Sequence, residues 1–248
     1  MADGVRPWRG DASLSALLAV QGVVLFVALP LGAGHPAARL LFDASHLAFA
    51  AVCAVALTRR PAVRVALVVA LALLAAGPAL AHRVGADLGA GAEAPGVLIA
   101  LVAFGFNALV TALVAARVFG PGRVTAHRVQ GAVLVYLNVA ALFAIAYGVL
   151  EAHAPGAIVA TAGAARGTLA GAIAPGVRTA TLSYFSLATI TTTGYGDLVP
   201  VHPLARSLAN LEAAFGQLFP ATLLARLVSL QLAHGRGRGG RDDRAARA

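Results

Sequence analysis

The residues whose types and spacing can do chemistry are Thr192-Thr193-Gly194-Tyr195-Gly196-Asp197. A cation of potassium's size that enters a narrow pore must give up its water, and rings of backbone carbonyls replace that shell when their oxygens all face the axis. Successive carbonyls face one way only if the backbone alternates between ordinary and left-handed dihedrals, which side-chain-bearing residues resist and glycine does not. Gly194 and Gly196 stand where such a backbone must turn. The ligands would be the carbonyls of Thr192, Thr193, Gly194 and Tyr195, with the Thr192 hydroxyl adding an oxygen at the inner end of the column. Tyr195 is expected to point away from the axis and wedge the loop against its surroundings. Asp197, repeated around the axis at the outer mouth, would gather cations by raising their local concentration.

Backbone that is neither helix nor closed barrel survives at membrane depth only when it is buried in protein or lines a cavity, so this loop needs helices around it. Composition supplies them. At 248 residues, 59% hydrophobic, 12% charged and with a mean hydropathy of +0.82, the chain falls in the membrane class. A bilayer core requires about 20 apolar residues per helix. That ruler predicts spans at 14–31, 40–57, 63–81, 96–118, 129–150 and 204–233, with a short pore helix over 179–191 dipping back between the fifth and sixth. The expected fold is an all-α polytopic membrane protein with four parts. These are a leader (1–13), a four-helix region (14–122), a pore domain (123–234) and a basic tail (235–248) too short and glycine-rich to fold. The connection 151–177, rich in Gly, Ala and Pro, reads as an extracellular turret, partly helical. The first apolar run exceeds the roughly 7 to 15 residues of a signal-peptide core, which favours a transmembrane helix.

Orientation follows from arginine, the only basic residue type besides histidine. With both termini cytoplasmic, thirteen arginines lie inside and five outside, and Arg226 falls near the inner end of the last span. This bias sends the fifth span outward, so the loop re-enters from the external side of the cell membrane. The net charge of +9 thus reflects topology and contact with lipid headgroups rather than nucleic acid. The single cysteine, Cys53, lies inside an apolar span and is read as packing. No Ser/His or His/Glu pairing stands out at facing depths, so no enzyme is expected.

The run from Tyr184 to Pro200 is similar to the pore helix and selectivity filter of tetrameric potassium channels, and the likeness extends over about 129–232. Gly216 lies nineteen residues beyond Asp197, the spacing of that family's inner-helix gating glycine. The resemblance implies passive K+ conduction, with K+ as permeant ion and no other cofactor. Because one filter per chain supplies only a quarter of each carbonyl ring, the assembly is a homotetramer in the lipid bilayer. Support for the filter is expected from Tyr184, Phe185, Ser186, Thr189 and Thr191 on the pore helix. Three positions depart from the family pattern. Phe185 replaces a tryptophan that braces the filter tyrosine, Ala188 replaces a glutamate that pairs with the filter-end aspartate, and Thr193 replaces valine or isoleucine. Asp197 must then find another partner, for which the Tyr184 hydroxyl is at hand. Alternative readings are a non-selective cation channel, a potassium transporter subunit, or a non-conducting scaffold or regulatory subunit.

Glu212 is the one carboxylate deep in the last span, and such groups face a cavity or a partner. It is read as a protonated or hydrogen-bonded link behind the filter, with a pore-lining or pH-gating role as the alternative. Gly216 and Pro220 are the weak points of that helix and its expected hinge. The first four spans carry no voltage-sensor ladder: each charge moved contributes only about 2.3 kcal/mol per 100 mV, and the fourth span holds only Arg117. Asp43 and His46 can form a proton-sensitive pair, and Asn107 an interhelical hydrogen bond. No soluble ligand-binding domain is expected after the last span.

Overall fold

The computed structural model describes residues 8–32, 61–63, 65–73, 93–120, 126–161, 167–168 and 175–245. Helix α1 (Trp8–Val23) passes through a π-helical turn (Val24–Ala28) into the short α2 (Leu29–Gly32). Then come α3 (Pro61–Leu73), α4 (Glu93–Val118), α5 (Ala126–His153), α6 (Pro175–Ile190) and α7 (Pro203–Ala245). Both α6 and α7 open on proline, whose fixed φ suits the first helical position and whose missing N–H is not needed there. Among the described residues, two helices are long and apolar enough to cross a membrane, Val97–Val118 within α4 and Arg128–His153 within α5. They cover the predicted fourth and fifth spans. The predicted second span, with Asp43, His46 and Cys53, lies outside the described residues, as do residues 64 and 74–81 of the third.

Helix α5 is the hub, packed against α1, α4, α6 and α7. On α4, Phe106, Val110, Val114 and Val118 recur every four residues, which lines them along one face. That face meets Leu134 and Val135 of α5, with Leu17 of α1 and Leu67 of α3 completing the cluster. A second cluster sits at the other end of α5, where Tyr147 packs with Leu182 and Phe185 of α6 and with Ala157, Ile158 and Ala205. Asn138 is fully buried in α5, and neither atom of its amide group finds a partner among the described residues. Arginines close the elbow between α4 and α5. Arg226 of α7 donates to the Phe119 carbonyl (2.8 Å) and lies 5.3 Å over the Phe119 ring, while Arg128 donates to the Gly120 carbonyl (2.9 Å). Cations suit a helix C-terminus because its last carbonyls lack partners and carry partial negative charge.

Two expectations are corrected here, and a third is completed. The connection 151–177 is helical at 151–153 and 175–177, and between these ends it also carries strands: β1 (Ile158–Ala160) and β2 (Gly167–Thr168) join β3 (Leu198–Pro200) in a sheet of order β2-β1-β3. Both pairings are antiparallel, with Val159 opposite Thr168 and Val199. Ile and Val favour a pleated surface, and Pro200 is tolerated at the end of an edge strand. The basic tail continues α7 to Ala245. A helix already nucleated adds one bond for each residue it fixes, which carries it through glycines that each cost about 1 kcal/mol relative to alanine. Asn107 bonds within its own helix, to the Ala103 carbonyl (3.0 Å), because an amide on a helix reaches the carbonyl one turn back.

Candidate functional site

Helix α6 buries Leu182, Phe185, Ser186 and Ile190 and ends at Ile190. The chain then turns through Thr192, whose φ of 57° is left-handed. Thr192 N donates to the Thr189 carbonyl (2.9 Å) and Thr193 N to the Ala188 carbonyl (2.9 Å). Those two bonds are the reciprocal pair of a Schellman C-cap, with Thr192 at the position glycine usually fills. A β-branched residue there costs about 1–3 kcal/mol. Gly194 N also donates to the Ala188 carbonyl (3.1 Å), so α6 holds the first half of the loop by its last turn.

Beyond Thr192, the left-handed residues are Gly194 (φ 54°) and Gly196 (φ 77°), with Thr193 and Tyr195 not left-handed between them. Every second residue of the run is therefore left-handed, the alternation that turns successive carbonyls the same way. Side chains stiffen the loop from several directions. The Tyr195 ring stacks on Tyr184 of α6 (centroids 5.9 Å apart, planes at 10°), and the Tyr184 hydroxyl donates to Asp197 Oδ2 (3.0 Å). Asp197 Oδ1 accepts from Leu198 N (3.0 Å). At the Thr192 end, Gln217 Nε2 on α7 donates to the Thr192 hydroxyl (3.0 Å), and the Thr191 and Thr193 hydroxyls bond each other (2.9 Å).

Behind the loop lies a buried polar knot. Tyr147 of α5 donates to Glu212 Oε2 (2.7 Å), and Ser186 of α6 bonds to Glu212 Oε1 and to the Ala140 carbonyl (2.6 Å). Tyr147, Ser186 and Glu212 are each 0% exposed. A hydroxyl donates once, so Tyr147 and Ser186 supply two hydrogens for three bonds; a carboxylic acid at Glu212 supplies the third. The knot ties α5, α6 and α7 together at one level. A turn away, Tyr136 donates to the Ile190 carbonyl (2.7 Å). Gly216 backs onto the same carbonyl so closely that a Cβ built there would overlap it.

The structure thus brings Tyr184, Tyr195 and Asp197 together at the Asp197 end of the loop, and Ser186 with Glu212 behind. Asp197 finds the Tyr184 hydroxyl, the partner anticipated for it. Phe185, which stands where the family carries a tryptophan, packs edge-on against Tyr147 (5.0 Å), and it is the neighbouring Tyr184 that stacks on Tyr195. Thr189 bonds back to Phe185 and Thr191 to Leu187 in the helix ladder. Helix α7 runs unbroken through Gly216 and Pro220, and at Gly216 the absent side chain serves a close approach. Sequence reading missed Tyr136, Tyr147, Glu151, Thr161 and Gln217. A signal existed for part of this set: Tyr136, Ala140, Phe143, Tyr147 and Glu151 are spaced by three or four and share one face of α5.

Residues 133–231 match the family model described as an ion channel. The matched region runs from α5 through α6 and the loop into α7. No curated protein matches the chain. The matched region takes in most of Arg128–His153, and among the described residues that helix and Val97–Val118 are the ones long and apolar enough to cross a membrane.

Proposed function

We propose that the chain is one of four identical subunits of a potassium-selective channel that conducts K+ passively across the cell membrane. The observation that carries this reading is the left-handed alternation at Thr192, Gly194 and Gly196 inside the region that matches the ion channel family. It is what a column of carbonyls facing one axis requires, and four copies complete each ring. The carbonyls of Thr192, Thr193, Gly194 and Tyr195 and the Thr192 hydroxyl are the proposed K+ ligands, and Asp197 concentrates cations at the mouth.

Assembly of four copies is supported by an exposed stripe on α7. Leu204, Leu211 and Leu218, each 60–64% exposed, recur every seven residues, with the exposed small residues Ser207, Ala214 and Ala221 between them. Spacings of three and four in alternation are the seam of left-handed helix–helix packing. In the tetramer that seam faces the inner helix of the next subunit. Gly216 and Pro220 are the points at which the inner helix bends to open the lower pore, and Glu212 is the fixed link behind the filter. With only Arg117 on the fourth predicted span, voltage dependence is weak. Both termini lie in the cytoplasm.

The test is the reversal potential in planar bilayers under a potassium–sodium gradient, for the wild type and Gly194→Ala. Reversal near the potassium equilibrium potential, with current lost in the variant, is expected. Reversal near zero would refute potassium selectivity and leave a non-selective cation channel. Absence of current in the wild type would refute conduction by this chain alone.

A further inference from the structure

Beyond Tyr195 the loop leaves the reach of the α6 C-cap, yet it must still hold its shape. When the axial cation is gone, carbonyl dipoles from four subunits point at one another and repel. From α6, the side-chain bond to this outer end is that of Tyr184 with Asp197. The remaining restraints come from outside the pore, along β1. Thr161, the residue after β1, donates its backbone N–H to the Asp197 carbonyl (2.8 Å) and its hydroxyl to the Gly196 carbonyl (2.7 Å). The same hydroxyl lies 3.3 Å from the Asp197 carbonyl.

The strand behind Thr161 is itself anchored. Ile158, Val159 and Ala160 pair with Pro200, Val199 and Leu198, and the Ala157 carbonyl accepts from Val201 N (2.9 Å) and His202 N (3.2 Å). The turn into β1 is gripped by Glu151 of α5, 1% exposed, whose carboxylate accepts from Ile158 N (2.5 Å) and Gly156 N (3.1 Å). A chain of hydrogen bonds therefore runs from the rigid end of α5, through the turret strand, to the two carbonyls at the exit of the loop.

We propose that the turret strand is the outer brace of the ion column and that Thr161 is its positioning residue, holding the Gly196 carbonyl off the axis so that the column ends at the Tyr195 carbonyl. This rests on the filter reading above. The Thr161 hydroxyl sets how long the conducting shape survives when external K+ is withdrawn, because the bond it makes opposes the carbonyl repulsion that the ion otherwise cancels.

The experiment compares Thr161→Val, which keeps the shape and removes the donor, with Thr161→Ser, which keeps the donor. Currents are followed after external K+ is replaced by an impermeant cation. In the same purified proteins, hydrogen–deuterium exchange is measured for the peptide covering 196–202. Loss of one net hydrogen bond shifts a local opening equilibrium about five-fold. Thr161→Val is therefore expected to lose current and to exchange about five times faster, with Thr161→Ser matching wild type in both. Wild-type behaviour of Thr161→Val in exchange would overturn the brace, as would failure of Thr161→Ser to rescue. If the wild type carries no potassium current, the filter reading falls, while the exchange comparison still decides whether Thr161 holds the exit.

Discussion

Replacing Glu212 by leucine removes the only acceptor that the Tyr147 hydroxyl has among the described residues, 2.7 Å away and fully buried. A buried hydroxyl left without a partner costs about 1–3 kcal/mol. Ser186 is protected from the same fate because it retains the Ala140 carbonyl at 2.6 Å. The expected loss for Glu212→Leu is therefore about 1–3 kcal/mol, which for a chain of this size lowers the melting temperature by roughly 2–4 °C per kcal/mol. Glu212→Gln should cost less than about 1 kcal/mol, since a carboxamide can accept from Tyr147 and donate to Ser186 as the neutral acid does. Tyr147→Phe combined with Glu212→Leu deletes donor and acceptor together, so the double variant should be milder than the sum of the singles by about 1–2 kcal/mol. Melting of detergent-solubilised protein, followed by fluorescence-detected size exclusion, reads all four. Additive effects, or a glutamine variant as damaged as the leucine one, would refute the proton count at this knot.

Gly216→Ala gains about 1 kcal/mol in helix propensity but drives a methyl group into the Ile190 carbonyl, a backbone atom that Tyr136 also holds. Overpacking of about 1–3 kcal/mol should win, so the variant is expected to melt lower in the same assay, and a stabilised variant would refute the close approach. Asn138→Leu replaces a buried amide with no partner among the described residues and is expected to raise stability by about 1–3 kcal/mol. A comparable loss would reveal a partner for the amide in a neighbouring subunit or in the rest of the chain.

The loop was legible because its chemistry is local. Glycines at alternate positions announce a backbone that turns left-handed at every second residue, and no distant contact is needed to read that. Helices α4 and α5 were legible for a similar reason, since an apolar run of sufficient length is its own signal. The third left-handed position, Thr192, was not, because threonine normally avoids that region and adopts it here as the C-cap of α6. The sheet was hidden because its strands are two or three residues long, too short for an alternating pattern. Its central pairing joins Ile158 to Pro200, with all of α6 and the glycine loop lying between them in the chain.

Phe185 and Tyr184 show where local reading stops. Consecutive helix residues point about 100° apart, so a brace for Tyr195 comes from one or the other but not both. Which one is decided by the pocket that Tyr147, Leu182 and Ala157 make for Phe185. By itself the sequence determined a strongly apolar helical chain with one loop that turns left-handed at alternate glycines, because composition and glycine spacing act within a few residues of each other. Tertiary structure alone decided what holds that loop. Tyr147, Ser186 and Glu212 lie 26 and 65 residues apart in the bonds they make, and Thr161 reaches Gly196 across 35. Only the packing of α5, α6 and α7 brings such groups within hydrogen-bonding distance.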